Sequence, residues 1–181
     1  KTDEEVLRLF AISKLGWIKK HVKNFKEQAR ETKRDYVSGE SHFFQGKRYI
    51  LEVKEHEGYS KVNVNGTKKI SFKVPKRASV EDKARIMKEW YRKQLKIQIP
   101  LLLEKWEKII GVKANDWGVK QMKTKWGACN TDAKRIWLNL ELAKKPTICL
   151  EYILVHELVH LHEKNHNDRF IALMNQFMPK W

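Results

Sequence analysis

The sequence predicts an α+β domain, and three observations carry that prediction. Apolar residues recur with helical period over 79–110 and again over 147–163. Between 42 and 75 the period drops to two, in two runs broken by tight-turn residues. A further strand-like stretch at 117–141 lies between the two long helical patterns.

The elements follow in order. Residues 3–35 read as a helix, with Val6, Leu9, Phe10, Leu15, Ile18, Val22 and Phe25 at three- and four-residue steps among Lys and Glu. The apolar stripe is narrow, so residues 1–40 are expected to form a helical arm packed on one side. His42-Phe43-Phe44, a Gln45-Gly46 turn and Tyr49–Val53 read as one hairpin. Val62–Val64, an Asn65-Gly66 turn and Ile70–Pro75 read as a second, because both central positions of Asn-Gly tolerate positive φ. These make 41–78 an antiparallel hairpin region. Residues 79–181 are the expected core, holding a small antiparallel or mixed sheet between helices.

Ser79-Val80-Glu81-Asp82 resembles a capping box and opens the long helix. Its apolar face runs through Met87, Tyr91, Leu95, Ile99, Leu102, Trp106 and Ile109 to a stop at Gly111. Pro100, lacking an amide donor, is expected to kink or restart it. After the strands at 117–141, Pro146 precedes a helix over 147–163, a polar break covers 164–167, and a last helix spans 168–177.

Composition narrows the function classes. No stretch approaches the ~18–20 apolar residues of a membrane span, and seven Trp, seven Phe and five Tyr argue against disorder. The formal charge is +16, and 27 of the 38 basic residues lie within 1–110 beside 15 of the 22 acidic ones. This basic N-terminal half is compatible with weak nucleic-acid binding, although runs such as Lys19-Lys20, Lys68-Lys69 and Lys76-Arg77 read more readily as solvated faces. Cys129 and Cys149 form no CxxC pair and are expected to be buried free thiols. With a polar start and no signal-peptide pattern, they suit a reducing cytoplasm.

The chemistry concentrates in His156-Glu157-Leu158-Val159-His160. On a helix, positions i and i+4 share a face, so both imidazoles reach one ion while Glu157 reaches a water beside it. Ile153, Leu154, Leu158 and Leu161 would anchor that helix. A catalytic zinc takes three protein ligands and keeps one position open. His166, just past the helix, is the third candidate, and Asn165 tolerates the turn needed to bring it back. Zinc would activate water near neutral pH, with Glu157 moving its proton to the leaving amine. Lys125 or Tyr152 could stabilise the oxyanion, and nothing in the spacing selects one. His162, about 200° round from His160, is not expected to be a ligand. Trp126 and Gly127 fit either the mouth of the site or core packing and a tight turn.

Met122-Lys123-Thr124-Lys125-Trp126-Gly127-Ala128-Cys129-Asn130, Ile136-Trp137-Leu138-Asn139, Tyr152–His160, and Asn165-His166 with Phe170 together resemble the YgjP-like metallopeptidase domain family, which is similar to SprT-like and other minimal zincins. Gly46-Lys47-Arg48-Tyr49 and Trp90–Gln94 extend the resemblance over about 40–181. The resemblance implies a zincin-like fold, one zinc on His156, His160 and His166, and Glu157 as general base. Ala128 and Asn167 depart from it, standing where the family often has Ser. The function expected is hydrolysis of extended or unfolded polypeptide, with substrate paired to the strand Ile136–Leu140 as an edge. Two rivals are a nucleic-acid-associated regulatory protein on the same fold and a zinc hydrolase of a non-peptide amide or ester.

Overall fold

A computed structural model describes residues 3–27 and 34–181. The chain divides into two compact units, Lys1–Arg34 and Asp35–Trp181.

In the first unit, helix α1 spans Glu4–Glu27. Trp17 and His21, one turn apart, lie with ring centroids 4.2 Å from each other. The rest of the expected helix, at 28–33, falls outside the described residues. Among its described residues the unit holds no second element against which the apolar stripe of α1 could be buried within it.

The second unit is α+β. Strands β1 (Ser41–Phe44) and β2 (Lys47–His56) form the first hairpin, and β3 (Lys61–Asn65) and β4 (Lys69–Pro75) the second, both antiparallel as the turn residues predict. The two hairpins join through a parallel pairing of β2 with β4, giving the order β1-β2-β4-β3. This sheet is therefore mixed and not antiparallel. Parallel registration aligns Leu51 with Ile70 and Val53 with Phe72, and Leu51, Ile70, Phe72 and Val74 are all buried.

Helix α2 runs unbroken over Val80–Ile110. Ser79 caps it: its hydroxyl accepts the Asp82 amide at 3.1 Å, and Asp82 reaches back to the Ser79 amide. Gly111, at φ 74°, ends it in the left-handed region. The helix does not restart at Pro100, because Leu95, Ile99, Leu103 and Trp106 are held in the core on either side. Beyond Pro100 the buried positions are Leu103, Trp106 and Ile110, while Ile109 is exposed. The stripe thus advances by four residues from Ile99, one more than the sequence reading assumed.

Strands β5 (Asp116–Lys120), β6 (Gly127–Asn130) and β7 (Arg135–Asn139) make a second sheet in the order β5-β7-β6. β7 is its central strand, parallel to β5 and antiparallel to β6. The stretch expected as a substrate-pairing edge, 136–140, therefore falls on the enclosed strand, and β5 and β6 are the two edges. A short 3-10 turn, Leu140–Lys144, leads to helix α3, Thr147–Val159. The β1–β2 turn is tied to this turn by amides of Gln45 and Gly46 that donate to the carbonyls of Ala143 and Lys144. Helix α4 spans Asp168–Phe177. One apolar cluster runs from Phe72 through Leu95 and Ile99 of α2 to Leu150, Leu154 and Leu158 of α3. No described helix is long and apolar enough to cross a membrane.

Candidate metal centre

Helix α3 is anchored by Leu150, Leu154, Val155, Leu158 and Val159, all at or below 1 % exposure. Its last turn carries His156 and Glu157 toward a cleft of about 500 Å³. The helix ends at Val159, short of the predicted 163, with His160 as its C-cap. His160 keeps right-handed helical angles, φ −60° and ψ −19°, so its imidazole still stands one turn above His156. His160 Nδ1 lies 3.0 Å from the Glu163 carbonyl, and His162 Nε2 lies 2.9 Å from the carbonyl of Ile110 at the end of α2. His162 is thus engaged away from the cluster, as its angle round the helix predicted.

The break at 164–167 folds back. His166 Nε2 comes within 3.0 Å of His156 Nε2, and one nitrogen from each of His156, His160 and His166 lies within 4.8 Å of the others. The residues fit a metal ion on three grounds. Two ligands about 2.0–2.1 Å from a tetrahedral ion stand roughly 3.3 Å apart, close to the observed His156–His166 separation. The Glu163 carbonyl, taking the Nδ1–H of His160, leaves the Nε2 lone pair of that ring free to coordinate. Burial and the neighbouring His160 and His166 push the His156 imidazole down to about 4, while burial lowers His160. Both rings are then neutral at pH 7, as ligation requires.

Glu157 is 5 % exposed. Burial pushes its carboxyl up to about 7, against the opposing pull of Lys125. Its neighbour is the backbone of Gly127, the first residue of β6: a Cβ there would lie 2.5 Å from Glu157 Oε1. Close approach, and not a turn, explains that glycine. The loop before β6 is clamped by Asn139, which is buried. Its Nδ2 donates to the carbonyls of Met122 at 3.0 Å and Lys125 at 2.7 Å, and its Oδ1 accepts the Met122 amide at 3.3 Å and the Glu141 amide at 3.1 Å.

The cleft has two walls, 125–131 from the loop and β6, and Tyr152 through His166 from α3 and the following break. Lys125 and Tyr152, the two oxyanion candidates, both line it. Trp126 lines it and carries Lys145 over its ring at 5.6 Å. Cys129 lines it as well, half-buried, with its thiol pushed up to about 11 by burial and then by Glu157. It is a protonated thiol at neutral pH. Cys149 is also half-buried, not fully so.

The free edge of β6 faces outward from this sheet. The Asn139 amide donates to the Trp126 carbonyl at 2.9 Å. In an antiparallel ladder bonded pairs alternate, so Ala128 bonds Trp137 while Gly127 and Cys129 turn their backbone groups to the open side.

Phe170 packs against the three imidazoles and Asn139 clamps the loop before β6, duties the sequence reading did not assign, while Gly127, expected at the site mouth or in a tight turn, lies against Glu157. The available signals were an apolar residue four past the third histidine, an Asn ending a strand, and a Gly opening one.

Comparison with family models agrees with this chemistry. A model of the YgjP-like metallopeptidase domain family matches residues 1–181, the whole chain. No curated protein matches. Among solved structures, the chain is similar to the metallopeptidase zymogen of Pyrococcus abyssi abylysin, at 23 % identity and a TM-score of 0.42, over 45 % of this chain and 80 % of that one.

Proposed function

This chain belongs to the YgjP-like metallopeptidase family, a metal-dependent peptidase in general terms, and from that premise we propose that it is a zinc peptidase of zincin-like fold acting on extended polypeptide. The observation that carries the reading is the convergence of His156, His160 and His166 beside a buried Glu157 at one end of an open cleft.

Three imidazoles and an open fourth position are the ligand set of a catalytic zinc. A bound ion supplies Lewis acidity, polarising the scissile carbonyl and acidifying a water near neutral pH. The protein's own part is positioning and proton transfer. Glu157 accepts a proton from the attacking water on a carboxylate oxygen and delivers it to the leaving nitrogen. Its pKa near 7 in the metal-free chain suits both halves of that exchange. Lys125, close enough to pull on the Glu157 charge, is the nearer candidate for steadying developing negative charge.

Substrate lies extended along β6. The outward backbone groups of Gly127 and Cys129 offer a donor and acceptor ladder to a peptide, and strand addition sets its register across the histidines. Folded substrates, whose backbones are already paired, resist. Lys125 and Lys164 stand on opposite walls, and Glu157 is the sole carboxylate among the described lining residues. Peptides bearing Asp or Glu near the scissile bond are therefore favoured.

An unbiased peptide-library digest tests the reading. Zinc-loaded protein should cut unstructured peptides, with acidic residues enriched around the cleavage site, and Glu157→Gln should cut none. Library cleavage by the Glu157→Gln protein at the wild-type rate contradicts the assignment of the base.

A further inference from the structure

Three imidazoles whose lone pairs converge repel one another, so something other than their own attraction must hold them together in the metal-free chain. Phe170 supplies a surface for this. It is 2 % exposed and lies on the first turn of α4. Its ring centroid stands 4.9 Å from that of His156, 4.7 Å from His160 and 4.7 Å from His166. The three imidazole centroids are separated from one another by 4.9, 4.9 and 4.7 Å. Four rings at near-equal mutual distances occupy the corners of a tetrahedron, with the benzyl ring as the one apolar corner. Phe170 is absent from the cleft lining, which includes all three histidines. It therefore closes the cluster from within and leaves the cleft side open.

The height of that ring is fixed by the residue next to the third histidine. Asn167 is the N-cap of α4, and its Oδ1 accepts the amide of Phe170 at 3.0 Å. The chain thus passes from His166 into a capped helix with no intervening slack, and three residues after the Asn167 cap it presents the ring beneath His166. Asn and Ser are interchangeable as N-caps, so the departure of Asn167 from the Ser of the family pattern preserves this function.

We propose that the start of α4 is the positioning element of the metal centre: the Phe170 ring backs all three imidazoles, and the Asn167 cap sets that ring in place. Neither residue touches the ion or the substrate. Both act through the histidines, and the inference rests on the reading of the triad as a metal site.

The test is zinc(II) affinity, measured by competition with a chromophoric chelator, with cobalt(II) absorption and the melting of the metal-free protein read in parallel. Phe170→Leu keeps the site apolar but removes the flat ring. It should weaken zinc binding by about ten- to a hundredfold, as loss of an outer support does, and alter the cobalt spectrum. Its metal-free melting should fall only by the few degrees that a buried large-to-smaller apolar exchange costs. Asn167→Ala should weaken zinc binding in the same sense, and Asn167→Ser should restore it. Met174→Leu, at an equally buried position one turn along α4, should leave affinity and spectrum unchanged. Wild-type affinity in both Phe170→Leu and Asn167→Ala overturns the proposal, as does an equal loss in Met174→Leu, which would tie the effect to helix burial alone. Should Phe170→Leu fail to fold, the Asn167→Ala and Asn167→Ser pair decides. An unaltered chain that binds no zinc overturns the metal reading together with this inference, a result distinct from variants that bind as well as wild type.

Discussion

A methyl group at Gly127 would stand 2.5 Å from Glu157 Oε1 and 2.8 Å from its Cγ, so Gly127→Ala must displace the carboxylate. The histidines are not in that contact. Gly127→Ala is therefore expected to retain metal and lose activity, by about a hundredfold for a displacement near 1 Å, with both read on the same preparation. A second residue-scale prediction concerns Glu151 on the same helix. Lys105 Nζ at 2.7 Å, and then Trp106 Nε1 at 2.8 Å, hold its carboxyl below the ordinary 4.5. A depressed folded-state value contributes stability above about pH 4.5 and loses it as pH falls through the folded value. Glu151→Gln should thus cost about 1 kcal/mol at pH 7 for a partly exposed pair. The difference should shrink as pH falls below 4.5 and through the folded-state value, as paired melting curves would show. A gap unchanged on acidification contradicts this.

At the scale of elements, the strand proposed to pair with substrate moves from β7 to β6. The sequence showed 136–140 as apolar and alternating, and the structure buries Ile136, Leu138 and Leu140 as that alternation requires. Strand order is a different matter. It depends on β5 returning parallel to β7 and β6 pairing antiparallel on the other side, which are non-local pairings that periodicity does not encode. The expectation of a cleft edge at 136–140 rested on its place between the Trp126 region and the active-site helix and on the family resemblance, and neither fixes strand order. The parallel joining of β2 and β4 was hidden for the same reason. The helix caps at Ser79 and Gly111 were legible because they depend on residues a few positions apart. The early end of α3 was not, since the His160 ring reaches Glu163 and the His162 ring reaches Ile110. The β6 assignment makes a test. Cys129→Pro removes an outward amide without breaking a bond to β7, a place where an edge strand tolerates proline. It should raise KM for an unstructured peptide while Cys129→Ala leaves KM near wild type. Equal KM values for the two variants contradict strand addition at β6.

Over the whole molecule, the triad was legible because both of its constraints are local: four residues of helix between His156 and His160, and a short polar break before His166. What the sequence could not show is how the surroundings of the site are assembled, because Phe170, Gly127 and Asn139 reach it from three separate elements. The +16 charge is a property of the whole chain, and it speaks to association more than to fold. Weak binding to single- or double-stranded DNA is expected at low salt, with log affinity falling linearly against log salt as counterions are released. Absence of binding at low salt would leave the charge as a solubility feature. The central claim is that His156, His160 and His166 hold one zinc, and metal content measures it most directly. Elemental analysis of the purified chain should give one zinc per molecule, retained in Glu157→Gln and reduced to a small fraction in His156→Ala, His160→Ala and His166→Ala. Stoichiometric zinc persisting in any of the three histidine variants would contradict it.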